Sequence, residues 1–428
     1  MNDILTRLAH FPRDYYLLVR SGLFAHAAYS RCHFKTALLC FLALPHYLMF
    51  GEAAGLRPNA FFDPDFFARQ SGTRRLIDYF DDQKLWGHPT SPYFDSRWYI
   101  EKHAAELATN ENPLRHFLLT GFDRGYDPAP CFDMQFFRRA IARDHADRKN
   151  YAYEYFCEVD DPPVNIAELE KRETEFYASI ELETLKRSAR PERRFLVFIQ
   201  SGRDFVPAYN FQGANFDILI NYYDASTRVP DEADYVFRQK GTKVTAVRKI
   251  LETSPDLLLA YDAVLFLDDD VTISQVEIET LFQTLDERRL DLLQASLSEE
   301  SSCFFPVLKQ PSAGKGLRPI SAIEIMMPVI SRRALAECGW VFKENISGWG
   351  IDTLLSAEVR KRFGNTIALL GDIVCVHARE VDLKDGAFYQ FLRRHGIEPT
   401  IEAGKVAMKF DINDKMSAVH FLEPHEAG

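Results

Sequence analysis

The chain has 428 residues, 46% of them hydrophobic, so it is long enough for two domains with sizeable cores. Its formal net charge of −11 argues against a nucleic-acid-binding protein, because such proteins need clustered positive charge. Seven scattered cysteines without a C-x-x-C pair give no sign of a disulfide framework or a zinc site, and no N-terminal signal pattern is present, so a cytoplasmic protein is predicted.

A short pattern recurs in the first part of the chain. The segment 44–51, Leu-Pro-His-Tyr-Leu-Met-Phe-Gly, returns at 114–121 as Leu-Arg-His-Phe-Leu-Leu-Thr-Gly, and each copy precedes a Pro-containing loop. Phe-Asp followed by aromatic residues at 62–67, 94–99 and 132–137 predicts three helix starts with aspartate as N-cap. We therefore expect an N-terminal array of helical repeats.

The repeats favour packing over ligand binding. His46 and His116 occupy equivalent positions, which indicates a packing role rather than metal ligation. The aromatic residues, at helical spacing, favour a core over a glycan-binding groove. The most apolar segment, 37–50, is too short for a membrane span of about 20 residues and predicts a packed helix. Contact of the first ~50 residues with a bilayer surface, without a span, stays an open alternative.

The composition changes after residue 157. Two prolines at 162–163 break regular structure, and the charged segment 165–187 predicts a helical connector. Apolar runs then alternate with helical patterns, which predicts an α/β sheet. The predicted divisions are a helical repeat domain at 1–157, a linker and connecting helix at 158–192, an α/β domain at 193–400 and a tail at 401–428. Strands are predicted at 195–199, 216–224, 263–267, 291–296, 325–330, 367–370 and 374–376.

Three adjacent aspartates, Asp268, Asp269 and Asp270, follow the apolar run at 263–267. A strand that ends there presents them at the carboxyl edge of the sheet, where open α/β folds bind ligands. Adjacent carboxylates repel one another, so they predict a divalent cation, Mg²⁺ or Mn²⁺, that offsets their charge. The alternative is an acidic loop that is only solvated.

Two later motifs add candidate side chains. Ser-Gly-Trp-Gly-Ile-Asp at 347–352 places Asp352 after a flexible aromatic loop, at the start of a predicted helix. Asp352 could point into a cleft or simply cap that helix. His377 ends a predicted strand, where a histidine is either a metal ligand or a structural hydrogen-bonding residue.

The ordered motifs from about Phe195 to Gly396 resemble those of the GT-A-type, metal-dependent glycosyltransferases, and within them a glycosyltransferase-like family of bacteria and plants. The motifs that carry the resemblance are Asn215-Phe216-Asp217, Lys240-Gly241-Thr242-Lys243, the triple aspartate, Glu324-Ile325-Met326-Met327-Pro328, the Trp-Gly-x-Asp segment and His377-Ala378-Arg379. The N-terminal units are similar to repeats attached to bacterial polysaccharide-related glycosyltransferases. The resemblance implies a GT-A-like, Rossmann-like mixed sheet flanked by helices, after an all-α repeat domain.

The resemblance also implies roles for individual residues. Asp268, Asp270 and His377 would hold Mn²⁺ or Mg²⁺, and the cation would stabilise charge on the departing nucleoside diphosphate. Asp352 would be the general base of an inverting displacement, with Glu324 as an alternative base or as a partner of the acceptor hydroxyls. The expected contacts to the nucleotide-sugar donor are Ser201, Gly202, Arg203, Asp224, Lys240, Lys243, Asp268, Asp269, Trp349, Gly350 and Arg379.

Three functional classes follow from these patterns. The first is a nucleotide-sugar-dependent glycosyltransferase that acts on a glycan acceptor in bacterial surface polysaccharide synthesis. The second is a metal-dependent nucleotidyl- or phosphoryl-transferring enzyme, which also needs clustered acids, although the chain carries no phosphate-binding P-loop motif. The third is a non-catalytic glycan-binding scaffold that works through its helical repeats.

Overall fold

The computed structural model describes residues 2–36, 38–159, 161–189, 191–202, 213–412 and 419–422. The chain divides into two compact units, Met1–Leu169 and Glu170–Gly428. Within the described residues, no helix is both long and apolar enough to cross a membrane.

The first unit is built from short helices. They are α1 Asn2–Ser21, α2 His26–Phe34, α3 Cys40–His46, α4 Pro64–Ser71, α5 Leu76–Asp81, α6 Ser96–Lys102, α7 Pro113–His116, α8 Phe122–Arg124, α9 Met134–Phe136 and α10 Arg148–Glu158, while α11, Ile166–Ala178, contains the boundary between the units. Single π-helical turns follow α3, α7 and α9 at Tyr47–Gly51, Phe117–Gly121 and Phe137–Ile141.

The three aspartate caps predicted from the sequence are confirmed. The side chains of Asp63, Asp95 and Asp133 accept hydrogen bonds from backbone N–H groups three residues later, at 2.8, 3.0 and 2.9 Å. Each cap satisfies a donor that a helix N-terminus would otherwise leave unpaired, which contributes about 1 kcal/mol.

The two equivalent histidines make the same contact. The hydroxyl of Tyr29 hydrogen-bonds Nδ1 of His46 at 2.8 Å, and that of Tyr99 hydrogen-bonds Nδ1 of His116 at 2.9 Å. In both pairs the tyrosine precedes the histidine by 17 residues, and both tyrosine rings are buried or nearly so. These histidines therefore satisfy buried hydroxyls in the core.

The described part of the apolar segment, residues 38–50, is only partly packed. Leu44 and Leu48 are buried, whereas Leu38, Phe41 and Phe50 are 86, 67 and 60% exposed. The segment was predicted as a packed helix, but α3 and its π turn bury one side only and leave the other side in solvent.

The second unit is a mixed ten-stranded sheet flanked by helices. Its strands are β1 Glu183–Arg187, β2 Phe195–Ser201, β3 Phe216–Tyr222, β4 Tyr235–Arg238, β5 Ala263–Asp268, β6 Val271–Thr272, β7 Leu292–Leu297, β8 Leu317–Pro319, β9 Val329–Ser331 and β10 Ile367–His377. Its further helices are α12 Lys243–Thr253, α13 Asp256–Leu259, α14 Gln275–Arg288, α15 Arg332–Cys338, α16 Ile351–Phe363, α17 Ala387–Arg393 and α18 Pro399–Phe410. A mixed sheet after a helical N-terminal unit is the predicted fold class.

The strand order is β1-β4-β3-β2-β5-β9-β7-β10-β6, with β8 paired to β10. Strands β4, β3, β2 and β5 run parallel, and every residue of β2 and β3 is buried, which explains their continuous apolar runs. The chain passes from β2 to β3 and β4 on one side, then returns to β5 on the other side of β2. The carboxyl ends of β2 and β5 therefore form a topological switch point.

The strand boundaries differ most from the predictions at two places, and β3 also ends two residues earlier than predicted, at Tyr222. The predicted strand at 325–330 is reduced to β9, although the carbonyls of Met326 and Pro328 still accept hydrogen bonds from β5. Proline lacks the N–H that a full ladder needs, so pairing becomes regular only after it. The two strands predicted at 367–370 and 374–376 are one strand, β10, with an irregular register between Leu370 and Val374.

The segments predicted as helical connector and as tail also differ from the structure. The helix predicted over 165–187 ends at Ala178, and Glu183–Arg187 forms β1, which pairs with β4 at the edge of the sheet. The predicted tail begins inside α18, most of whose residues are buried. Charged side chains on an edge strand hide the apolar alternation that sequence reasoning depends on.

The glycines of the repeated pattern generate a stability prediction. A Cβ built on Gly121 would come closer than 3.0 Å to the hydroxyl of Tyr99, which is held by His116. We expect Gly121→Ala to lower the free energy of unfolding by about 1–3 kcal/mol, measured by urea denaturation. Gly87→Ala is the matched control, because its Cβ would meet nothing within 4 Å. Equal losses in both variants would contradict the prediction.

Candidate active site

The triple aspartate lies at the switch point, where β5 ends beside β2. Asp268 is the last residue of β5 and stands in register with Gln200 of β2. Its Oδ1 pairs with Nζ of Lys243 at 2.7 Å. Lys243 opens α12 and also donates to the carbonyls of Ile325 and Met326, at 2.6 and 3.2 Å. Burial raises the pKa of Asp268, and Lys243 opposes that rise.

Asp269 turns toward the end of β2. Its Oδ2 accepts a hydrogen bond from the backbone N–H of Gly202 at 2.8 Å and another from the hydroxyl of Tyr223 at 3.4 Å. Arg379 approaches Oδ1 at 3.5 Å. Burial raises the pKa of Asp269, while Gly202 and Arg379 work in the opposite direction. Asp269 therefore fastens the acidic turn to two neighbouring strand ends.

Asp270 and His377 face each other. Oδ1 of Asp270 lies 3.3 Å from Nε2 of His377, and Nδ1 of His377 lies 2.5 Å from the carbonyl oxygen of Ser302. Burial opposes ionisation of Asp270, but His377 and Arg379 outweigh it and hold its pKa below the ordinary value. Burial likewise opposes protonation of His377, yet Asp270 raises its pKa to about 9.

Asp270 and His377 are the candidate ligands for a divalent cation at this edge. Apart from the His377 contact, Oδ1 of Asp270 is buried without a hydrogen-bond partner among the described residues. A divalent cation would have to displace the proton that His377 holds toward Asp270. With Nδ1 still donating to the Ser302 carbonyl, Nε2 could then offer its lone pair to the cation. In the part of the chain described, however, no three His, Cys, Asp or Glu side chains are arranged to hold a metal. Asp268, the third predicted ligand, is paired with Lys243 through Oδ1.

The remaining predicted donor contacts differ in accessibility. Lys240 and Arg379 are exposed. Asp224 follows β3 and its Oδ1 accepts from the N–H of Ser226 at 2.8 Å, within a turn. Ser201 is fully buried and its hydroxyl donates to the carbonyl of Gly202. Arg203 lies outside the described residues.

Glu324 and Asp352 form a second acidic group. Oε1 of Glu324 accepts from the N–H of Phe304 at 3.0 Å, whereas its Oε2 is buried without a hydrogen-bond partner among the described residues. Burial, reinforced by the charge of Asp352, raises the pKa of Glu324 to about 8. At neutral pH this carboxyl therefore retains its proton and can donate a hydrogen bond.

Asp352 does not cap its helix. The N-cap of α16 is Gly350, with φ of 80°, and Asp352 is in the first turn. Its Oδ1 accepts from the N–H of Thr353 at 2.8 Å. A carboxylate at a helix N-terminus is stabilised by the helix dipole. Asp352 is 8% exposed, and so belongs to the interior wall of the site.

Aromatic side chains adjoin these two acids. The Trp349 ring centroid lies 5.8 Å from that of Phe304 and 6.0 Å from that of Tyr389. Phe304 is 40% exposed and its backbone binds Glu324. Tyr389 is 9% exposed, so Phe304 and Trp349 are the rings that a ligand could reach. Accessible rings beside hydrogen-bonding carboxyls suit a ligand with both apolar and hydroxyl faces. Sequence reasoning missed Phe304 and Tyr389, because neither lies in a recognisable motif.

No protein-family model matches the sequence, and no curated protein sequence matches it. Among solved structures, the chain is similar to S. aureus TarS, with 14% identity over 47% of this chain and 39% of that chain and a TM-score of 0.33. TarS 1–349 in complex with UDP-GlcNAc matches at 14% identity over 47 and 65% of the two chains, with a TM-score of 0.30.

A third similar structure is glucosyl-3-phosphoglycerate synthase from Mycobacterium tuberculosis in complex with Mn²⁺, UDP-glucose and phosphoglyceric acid. It is 16% identical over 56% of this chain and 86% of that chain, with a TM-score of 0.28. The chain spans less than two thirds of the TarS chains that it matches.

The raised pKa of Glu324 predicts a pH-dependent stability. Its ordinary pKa is 4.5 and its folded value is about 8, so between these values the folded state binds a proton that the unfolded state has lost. Stability should then fall as pH rises through this window, by up to about 1.4 kcal/mol per pH unit. Glu324→Gln should remove this slope and be more stable than the wild type at pH 9, measured by urea denaturation at several pH values. Parallel pH profiles for the two proteins would contradict it.

Proposed function

We propose that the protein is a metal-dependent glycosyltransferase that moves a sugar from a nucleotide-sugar donor to a glycan acceptor in bacterial surface polysaccharide synthesis. The observation that carries the proposal is the pairing of two unlike acidic groups at one edge of the sheet. Asp270 with His377 suits a cation, and Glu324 with Asp352 suits hydroxyl chemistry. They are near enough for His377 to influence the pKa of Glu324.

The fit of the first group to Mn²⁺ or Mg²⁺ rests on the buried, unpartnered oxygen of Asp270 beside His377. Mg²⁺ is commonly held by one or two carboxylates, with substrate phosphates and water completing its shell, so Asp270 could hold Mg²⁺ in this way. His377 would add an imidazole ligand for Mn²⁺. When bound, the cation would offset negative charge on the nucleoside diphosphate. Asp268 and its partner Lys243 would flank the site without ligating the metal.

Different side chains would bind the donor and activate the acceptor. Arg379 and Lys240, both exposed, would contact the phosphates, and the end of β2 at Ser201–Gly202 would lie against the nucleoside. Asp352 would accept the proton of the acceptor hydroxyl as its oxygen bonds to the anomeric carbon. The bond from that carbon to the phosphate oxygen breaks in the same step, which inverts the configuration. Glu324, protonated at neutral pH, would donate a hydrogen bond to the acceptor.

A nucleotidyl- or phosphoryl-transferring enzyme remains the second candidate, because it too needs a cation held by acids. It does not need a second acidic group lined by aromatic rings. Trp349, Phe304 and Tyr389 beside Glu324 therefore favour a sugar as the group that is bound there.

Calorimetric titration with UDP, GDP, CMP and ADP tests the proposal, each with and without Mn²⁺. We expect one nucleotide to bind in a Mn²⁺-dependent manner, and Asp270→Ala to weaken that binding at least about tenfold, because it removes a metal ligand. Asp352→Asn is the matched control, since it should bind the nucleotide as the wild type does and yet lose sugar transfer. No nucleotide binding by the folded wild type would favour the scaffold alternative.

We also propose a bilayer surface as a partner of the first unit. Leu38, Leu39, Phe41, Leu42 and Phe50 are 37–86% exposed and are here called the apolar patch. Exposed apolar clusters of this kind mark interaction sites. Residues 1–50 carry five arginines and lysines but two aspartates, within a chain of net charge −11. Arg7 lies at the patch, where it donates to the carbonyl of Met49 at 3.0 Å. An apolar patch within a basic segment suits an anionic lipid surface.

Co-sedimentation with vesicles of phosphatidylcholine and phosphatidylglycerol tests this partner. The wild type should sediment with the vesicles, and Phe41→Glu together with Leu38→Glu should reduce the bound fraction several-fold, because a buried glutamate is costly in the acyl region. Val276→Glu is the matched control, a 70% exposed apolar position in the second unit. Vesicle binding that survives the double substitution contradicts the proposal. Self-association that the substitution abolishes would instead assign the patch to a second copy of the chain.

A further inference from the structure

A buried carboxylate binds the backbone at the start of the loop that carries Trp349 and leads to Asp352. Glu402, in the first turn of α18, accepts the backbone N–H of Ile346 with Oε1 and that of Ser347 with Oε2, both at 2.8 Å. Glu402 has no exposed surface. A bidentate carboxylate therefore fixes two consecutive peptide groups at the entrance to the loop.

A second helix, α12, also binds the backbone at the start of this loop. Thr242, the N-cap of α12, donates its hydroxyl to the carbonyl of Ile346 at 2.5 Å. Ile346 thus has its N–H and its carbonyl bound by two different helices. The next residue, Lys243, pairs with Asp268. The N-terminus of α12 therefore contacts both the loop and the triple aspartate.

The loop itself has no room to move toward either helix. Gly348 and Gly350 have φ of 92° and 80°, a conformation that favours glycine. A Cβ on Gly350 would lie 3.3 Å from Cα of Ala403, the residue after Glu402, and a Cβ on Gly348 would lie 3.0 Å from Val244. The backbone of the loop is therefore packed directly between α18 and α12.

Two further charged residues complete the network behind Glu402. Nζ of Lys405 lies 2.6 and 2.5 Å from the carboxylate oxygens of Glu173 and 2.7 Å from the carbonyl of Glu344. Lys405 is 1% and Glu173 8% exposed. Burial raises the pKa of Glu173, and the neighbouring Glu402 raises it further.

Charge balance assigns the protonation state of this network. Two buried carboxylates and one buried ammonium are neutral together only if one carboxylate is protonated, and uncompensated buried charge is strongly unfavourable. Burial and the neighbouring Glu402 raise the pKa of Glu173, so the proton belongs to Glu173. Both oxygens of Glu402 accept backbone N–H groups of the loop.

We propose that Glu402 is a positioning residue of the active site, and that Glu173 and Lys405 are its buried neighbours on the side away from the loop. It acts through the backbone of residues 346–347 to hold Trp349 and Asp352 in place, and it contacts neither substrate nor metal. The role of Glu402 in sugar transfer rests on the proposed function, whereas its hydrogen bonds to the loop backbone do not depend on that function.

Hydrogen–deuterium exchange of the full chain tests the grip directly. In the wild type, the amides of Ile346 and Ser347 should be strongly protected. Glu402→Gln leaves one acceptor oxygen for two N–H donors, so at least one of these amides should exchange about tenfold faster or more. Glu173→Gln, a neutral isostere of the protonated acid, should leave both amides as slow as in the wild type.

A second control and a kinetic readout separate this proposal from the proposed function. Glu398→Gln alters an exposed pair with Arg393 at the start of the same helix and should change neither exchange nor activity. Glu402→Gln should lower kcat at least about tenfold while Mn²⁺-dependent nucleotide binding stays at the wild-type level. Rapid wild-type exchange at 346–347, or unchanged exchange in a folded Glu402→Gln, overturns the grip. If Glu402→Gln does not fold, the wild-type and Glu173→Gln exchange rates still decide it. Loss of all nucleotide binding by the wild type would instead overturn the proposed function.

Discussion

The parallel pairing of β2 with β5 is the constraint on which the rest of the second unit depends. The two strands run in register from Phe195 with Ala263 to Gln200 with Asp268, and nearly every side chain along them is buried. Burial on both faces makes a one-residue slip costly, because it would turn every side chain to the opposite face. The pairing thereby delivers Asp268 and the end of β2 to the same edge of the sheet.

The acids at that edge are stable because each has a different partner. Asp268 has an ammonium, Asp269 has a backbone N–H and a guanidinium, and Asp270 has an imidazole. Three carboxylates on consecutive residues repel one another, and a nearby cation or hydrogen-bond donor at each carboxylate offsets that repulsion. Among the described residues, Asp270 is the one of the three whose buried oxygen has no hydrogen-bond partner, which makes that oxygen the candidate ligand for an added cation.

Sequence reasoning reached the sheet and the acids because continuous apolar runs and adjacent carboxylates are local signals. It placed helix caps at Asp63, Asp95 and Asp133 for the same reason. It missed the contact of Lys243 with Asp268 and that of Glu402 with the 346–347 backbone, because each joins segments distant in sequence through loops of irregular shape. The residues of helix α18 were predicted as a tail, because the contacts of Glu402 with the loop depend on tertiary packing.

The two buried tyrosine hydroxyls of the first unit have a consequence for how this sequence can change over time. Each hydroxyl fills the space into which a side chain at Gly51 or Gly121 would project, and each is anchored by a histidine. Removing the hydroxyl opens that space, so the effects of substituting the tyrosine and the glycine are not additive. Drift at these positions should therefore be correlated, and related sequences that lose the glycine should be those that have also lost the tyrosine.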